Sequence, residues 1–471
     1  MSTRQAASSA PPIGSRDDLV EWFAVGSKPK SEWRIGTEHE KIPFRTDDLQ
    51  PVTYQGPRGI RALMEELIGR YGWEPIHEGD TIIALKRPEG EPPATVSLEP
   101  GGQFELSGAP LADLHAVDAE TRQHIDEVTT IGRDLKLGFL GTGFSPKWTL
   151  PETPQMPKQR YAVMTRYMPK VGAHGLDMMY RTATIQVNLD FSDEADMVKK
   201  LRVSLALQPV ATALFASSPF KEGKPSGYLS LRSEAWRDTD RARTGLLPFV
   251  FESGMSFERY VEYALDVPMY FIYRDGEYID VAGASFRDFL ARRLSEKLGR
   301  PDLKGIEPTI DDWSDHITTI FPEVRLKRYL EMRGADAGLT PQISGLSALW
   351  VGLLYDQTAL DAAWDVVKGW TAEEREILRN DVPRTALSSR FRRMKLLDIA
   401  REVVTIAGEG LRARNVKTPK GDDERIHLQC VEAVVDSGRT CAEAMLEAFD
   451  SRWGKRVDPV FREVVFSPPS N

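Results

Sequence analysis

In TATIQVNLDF, Ala183, Ile185, Val187, Leu189 and Phe191 alternate with Thr182, Thr184, Gln186, Asn188 and Asp190. A period of two puts the apolar set on one face of a strand and the polar set on the other. One face packs; the other meets water or a ligand. TIIALK, ATVSLE and QFELSG read as three more short strands, and Pro100-Gly101-Gly102 between the last two suits a tight antiparallel connection. MYFIYRDGEYIDV carries Asp275-Gly276 between two aromatic and β-branched runs, which predicts a hairpin. From Gly59, the residues Ile60, Leu63, Met64, Leu67 and Ile68 form the stripe of a helix packed on something flat. Asp17 and Asp18 open a short helix through Phe23, after a loose Ser-, Ala- and Pro-rich tail over residues 1–16. Beyond Glu323 the pattern turns helical, with capping boxes at Thr371-x-x-Glu374 and Thr440-x-x-Glu443. No repeat and no long linker divides the chain. The expectation is a single α+β catalytic domain over residues 17–471, strand-rich to about 335 and mainly helical after.

Composition narrows the class without changing this layout. Hydrophobic residues make up 41% of the 471 and charged residues 28%, enough apolar material for a sizeable core. The balance of 61 basic against 70 acidic residues, with no Lys/Arg-rich block, argues against a nucleic-acid partner. The N-terminus has no apolar targeting core, and LALQPVATALFA is too short and too polar to span a bilayer, so no membrane role and a soluble cytoplasmic protein are expected. Cys430 and Cys441 alone exclude a disulfide framework and a four-cysteine zinc site; they read as two buried free thiols in neighbouring helices.

The polar positions carry the candidate chemistry. In RIGTEHEKIPF, Glu38 and Glu40 are two apart, so on a strand both carboxylates share a face and His39 points to the other. Gln103 and Glu105 repeat the spacing, and Glu99 lies across the intervening turn. Together with the Gln186/Asn188 face, these make a surface of oxygen ligands of the kind that hard cations such as Mg²⁺ take. The seven histidines show no zinc spacing, and there is no GxxxxGK[ST] loop and no GxGxxG between strand and helix. Phosphate binding would have to use metals and basic side chains. Arg232, Arg237, Arg241 and Arg243 supply one basic group, and Arg325, Lys327, Arg328 and Arg333 another. Arginine forks suit carboxylates and phosphates. An exposed helix with Lys327 and Glu331 paired at i, i+4 is an equal reading of the second group.

GTEHEKIPF, SLEPGGQFELSGAPL, RYMPKVG, GLDMM, TIQVNLDFSDEADM, LALQPVATALFASSPF, TGLLPFVFE, YALDVPMYF, FPEVRLKRYLEMRGAD and ALWVGLLYD resemble the plant-type glutamate-cysteine ligases, a family found also in many bacteria. The likeness runs in the same order from about residue 17 to about residue 463. It implies a glutamine synthetase-like fold, whose curved antiparallel sheet forms a bowl for ATP, Mg²⁺ and L-glutamate. It implies ATP-dependent joining of L-glutamate to L-cysteine through a γ-glutamyl phosphate, the first step of glutathione synthesis, by a monomer or homodimer. Metal ligands implied are Glu38, Glu40, Glu99 and Glu105, with Glu331 added. Gln186 and Asn188 would lie near metals and phosphates. Arg232 would take the glutamate α-carboxylate, and Arg243 and Arg325 would contact substrate or phosphate, Arg232 and Arg325 being the implied catalytic cations. The regulatory disulfides of plant members are not implied, because Cys430 and Cys441 fall outside the segments where those cysteines are expected. A sister ligase using another amine, for example in ergothioneine synthesis, and a non-catalytic glutamate- or nucleotide-binding homologue are the alternatives.

Overall fold

The computed structural model describes residues 11–467. Its centre is a nine-stranded antiparallel sheet. The strands are β1 (Ile35–Arg45), β2 (Glu74–Glu78), β3 (Thr81–Gly90), β4 (Pro93–Leu98), β5 (Phe104–Ser107), β6 (Leu137–Leu140), β7 (Thr184–Leu189), β8 (Val324–Leu326) and β9 (Leu330–Asp336). Their order is β8-β9-β7-β1-β5-β4-β3-β2, and β6 pairs with the far end of β1, from Ile42 to Arg45. The long strand β1 therefore holds three partners, and the two strongest alternating segments, β1 and β7, lie side by side at the middle.

Alternation sorts the two faces as the pattern predicts. Ile35, Ile185, Val187, Leu189, Phe104 and Leu106 are fully buried in one continuous core that runs from Leu19 to Phe466. The helices Leu114–Leu135 and Thr340–Leu354 pack against β1 from this side, the second reaching β7 as well. Thr37 and Ser347 share a hydrogen bond of 2.8 Å across that interface. The helix predicted from Gly59 spans Ile60–Tyr71, with Gly72 closing it at φ 71°, a left-handed cap that glycine takes without strain. The Asp275-Gly276 hairpin is present, pairing Phe271–Arg274 with Glu277–Asp280.

Three expectations need revision. The segment after Glu323 is not yet helical, because β8 and β9 form the sheet edge before the helices begin at Thr340. Lys327 and Glu331 do meet, at 3.3 Å, but across the β8–β9 hairpin rather than along a helix. Of the expected tail, residues 1–10 lie outside the described residues, while 11–16 are tied down: Pro12 bridges Thr309, Ile13 donates to the Pro308 carbonyl at 3.0 Å, and Ser15 caps the helix Arg16–Ala24. Both cysteines are free and half-buried, in the consecutive helices Gln429–Ser437 and Cys441–Asp450. Among the described residues, no helix is long and apolar enough to cross a membrane.

Candidate active site

The polar face of the sheet floors a cleft lined by Glu38, Glu40, Glu99, Thr184, Gln186 and Arg333. Strand register brings them together. Glu40 stands opposite Glu105, Glu38 opposite Gln186, and Glu105 opposite Ser97. Carboxylate oxygens of Glu40, Glu99 and Glu105 all lie within 4.8 Å of one another. The Thr184 amide donates to Glu40 Oε2 at 2.9 Å, Ser97 Oγ to Glu99 Oε1 at 3.1 Å, and Ser107 Oγ to Glu105 Oε1 at 2.9 Å.

Glu99 owes its place to the turn that follows it. Gly102 N donates to the Glu99 carbonyl at 2.9 Å, and the Gln103 amide group donates to the carbonyls of Thr182 at 2.7 Å and Met179 at 3.2 Å. A Cβ on Gly101 would stand 2.0 Å from the Tyr180 carbonyl oxygen, so only glycine lets this turn seat against the helix Gly175–Arg181. On its other flank, Lys158 Nζ and the Tyr161 hydroxyl both donate to the Leu98 carbonyl, at 3.1 and 2.6 Å. That anchors the helix Gln159–Tyr167, which presents Arg160 and Tyr161 to the cleft.

Three carboxylates this close cannot all be charged cheaply. Burial first, then Glu105 and Glu99, pushes the Glu40 carboxyl well above the ordinary range. Burial, then Glu105, raises Glu99 to about 7. Like charges in a sheltered site favour the protonated form until a cation replaces the protons. An all-carboxylate donor set is what a hard divalent cation takes, so these residues fit magnesium.

Glu331 has the opposite surroundings. Arg325 Nε lies 2.6 Å from it, Arg333 Nη1 2.8 Å and Lys327 Nζ 3.3 Å. Against the penalty of burial, Arg325, Lys327 and Arg333 hold its carboxyl well below the ordinary range. The expectation of Glu331 as a metal ligand is therefore corrected: three cations already share its carboxylate, and a metal would have to compete with them. Arg325 lines the cleft, with its guanidinium spent on Glu331 and on the carbonyls of Thr318 and Ile320. Gln186 accepts from Arg333, and Asn188 donates to Glu38 Oε1 at 2.9 Å, which orients that carboxylate from outside the cleft lining.

The two remaining arginines part company. Arg243 is not among the residues lining the cleft; its guanidinium is used up on Asp240 at 2.6 Å and on the carbonyls of Thr319 and Pro268 at 2.9 and 2.6 Å. Its expected substrate contact is corrected on that ground. Arg232 lines the cleft from the helix Leu231–Arg237. It is 3% exposed, Nη2 donates to the Arg333 carbonyl at 2.7 Å, and Nε is buried with no hydrogen-bond partner. A buried unsatisfied donor on a cleft wall is what a ligand oxygen completes. Sequence spacing does not single out Arg160 and Tyr161: Arg160 stands at the start of a helix with only Lys158 as a basic neighbour, outside the two arginine-rich segments.

The family model described as glutamate-cysteine ligase family 2 matches residues 34–463. The chloroplastic glutamate-cysteine ligase of Nicotiana tabacum is 53% identical to this chain, over 98% of it and 85% of the relative. Enzyme B of Oryza sativa subsp. japonica is 51% identical over 98% and 90%, and the Arabidopsis thaliana enzyme 51% identical over 98% and 85%. Among solved structures, glutamate-cysteine ligase from Francisella tularensis in complex with AMP matches with a TM-score of 0.54, covering 92% of this chain and 88% of that one at 14% identity. That likeness is one of fold and bears out the α+β, glutamine synthetase-like architecture expected from the sequence. The cytoplasmic expectation is overturned by the plant relatives, which are named as chloroplastic proteins. With a family model covering most of its length and relatives at half identity over nearly all of it, the chain belongs to glutamate-cysteine ligase family 2.

Proposed function

We propose that this ligase makes γ-glutamylcysteine, the first step of glutathione biosynthesis, by way of a γ-glutamyl phosphate formed from ATP in the cleft on the polar sheet face. A carboxylate does not react with an amine in water, because its oxygen is a poor leaving group. The glutamate γ-carboxylate therefore attacks the γ-phosphorus of ATP, and ADP leaves. The cysteine amine then attacks the acyl carbon, phosphate departs with the C–O bond electrons, and the amine gives up its proton as the amide forms.

Arg232, with its unpartnered Nε, is suited to fork onto the glutamate α-carboxylate and fix the γ-carboxylate relative to the nucleotide. Arg160, which lines the same cleft and favours the charged form of Glu99, is suited to phosphate oxygens. Magnesium held by Glu40, Glu99 and Glu105 would supply positive charge where negative charge moves between phosphoryl oxygens. Tyr161, Trp236 and Phe321 wall the cleft and limit water around the acyl phosphate.

The observation that carries this reading is a cluster of three carboxylates of which two, Glu40 and Glu99, line the same cleft as a buried arginine with a free donor. The test is ADP release by the purified protein with ATP, Mg²⁺, glutamate and cysteine, omitting each in turn and identifying the product by mass. Turnover that needs all four and yields γ-glutamylcysteine supports it. Turnover that persists without magnesium, or phosphate release without prior dependence on glutamate, overturns the proposed route.

A further inference from the structure

Asp336 ends β9, is 1% exposed and does not line the cleft. Ser230 Oγ donates to its Oδ1 at 2.7 Å, while Ser218 Oγ and the Ser217 amide donate to its Oδ2 at 2.6 and 2.9 Å. A hydroxyl has one proton to give. With that proton committed to Asp336, each serine oxygen is left to accept: Ser230 from the Ser233 amide at 3.2 Å, as the cap of the helix Leu231–Arg237, and Ser218 from the Arg232 amide at 3.2 Å. The hydrogen bonds thus run one way, from helix backbone through hydroxyl to carboxylate.

The guanidinium of Arg232 is fixed to the same strand, through Nη2 and the Arg333 carbonyl. Arg232 is therefore held to β9 at its backbone and again at its tip, with Nε left over. Room for the carboxylate is also preserved: a Cβ on Gly143 would fall 2.4 Å from the Asp336 carboxyl carbon.

We infer that Asp336 is a positioning residue for substrate glutamate, setting the direction of the Ser218 and Ser230 hydroxyls and through them the placement of Arg232. This rests on the reading that Arg232 takes the glutamate α-carboxylate. An Asp336→Asn side chain offers one acceptor oxygen and one donor group in place of two acceptors, so the serine facing the amide nitrogen loses its acceptor and must turn its proton away from position 336.

The measurement is steady-state kinetics of Asp336→Asn, Arg232→Met and the double variant, varying each substrate separately, with far-UV circular dichroism to establish folding. Asp336→Asn should raise KM for glutamate about tenfold, the loss expected of one charge-assisted hydrogen bond, while KM for ATP stays within about twofold. The double variant should match Arg232→Met alone. Equal effects on all substrates, or full additivity with Arg232→Met, would overturn the positioning role. If Arg232→Met leaves KM for glutamate unchanged, the Arg232 assignment fails and takes this one with it; if that variant raises it and Asp336→Asn does not, only the positioning role fails. Should Asp336→Asn not fold, Ser218→Ala cuts one of the same links, and a rise confined to glutamate, or its absence, decides the matter.

Discussion

Glu99 and Glu331 are buried on one sheet face, and their neighbours drive them in opposite directions. Glu99 meets carboxylates and is pushed up to about 7; Glu331 meets three cations and is held well below the ordinary range. Substitution should separate them. Glu40→Gln, in the first environment, removes a charge that burial and like-charged neighbours already disfavour. The variant should melt no lower than the parent in metal-free buffer, yet lose at least about 100-fold in turnover at limiting magnesium, the size of a several-kcal/mol metal contribution. Glu331→Gln should do the reverse to stability: it strands Arg325, Lys327 and Arg333, at a cost of about 3–5 kcal/mol in a denaturant melt. A buried histidine gives a third expectation. His316 donates Nε2–H to the Ala264 carbonyl at 2.8 Å and, by burial, is lowered to about 3. The unfolded chain takes up this proton near pH 6.5 and the folded chain does not, so stability present above 6.5 is lost as pH falls toward 3, by up to about 1.4 kcal/mol per pH unit. Denaturant midpoints between pH 7 and 4.5 should fall less steeply in His316→Gln; an unchanged slope would refute the neutral buried state. At this scale the carboxylates were legible because i, i+2 spacing on a strand fixes their shared face. Arg160 and Asp336 were not, since their roles depend on which distant segments pack beside them.

Elements differ in how much of themselves they reveal. β1 and β7 are long enough for alternation to stand out, and both faces were assigned correctly from Glu38, Glu40, Gln186 and Asn188. In β8 and β9, Arg325, Lys327, Arg328 and Arg333 crowd a short hairpin, and their spacing satisfies a charged helix as well as two strands. Tertiary pairing of β9 with β7 decides between them, and sequence spacing carries no record of it. The turn between β4 and β5 is the contrary case, in which Pro100-Gly101-Gly102 announced itself and its necessity came from contact with another element. Gly101→Ala would set a methyl group against the Tyr180 carbonyl, so the turn must back away from the helix Gly175–Arg181, carrying Glu99 with it. Overpacking of this kind costs about 1–3 kcal/mol. The variant should therefore show both a lower melting temperature and a higher magnesium requirement for half-maximal rate. A lower melting temperature with an unchanged magnesium requirement would separate the turn from the placement of Glu99.

For the whole molecule, the question is whether the helical C-terminal part is a domain or half of the core. Leu346, Leu349, Trp350 and Leu353 of the helix Thr340–Leu354 belong to the same cluster as Ile35, Ile185, Val187 and Leu189 of the sheet. Every residue of that helix from Ile343 to Leu354 is buried, between the sheet and the helix Leu396–Arg414, where Gly352 and Gly410 meet so closely that a Cβ on Gly410 would lie 1.9 Å from the Gly352 carbonyl oxygen. A cut just before the helix Thr340–Leu354 would expose apolar sheet surface. A chain ending at Gly338 keeps all nine strands and every residue of the carboxylate cluster, yet strips the helix Thr340–Leu354 from the apolar face of β1 and β7 and leaves only the helix Leu114–Leu135 over β1. It should aggregate, and any soluble fraction should lack near-UV circular dichroism and a cooperative melt. Recovery of a folded monomer from that truncation would mean that the sheet carries its own core and that the C-terminal helices form a second domain.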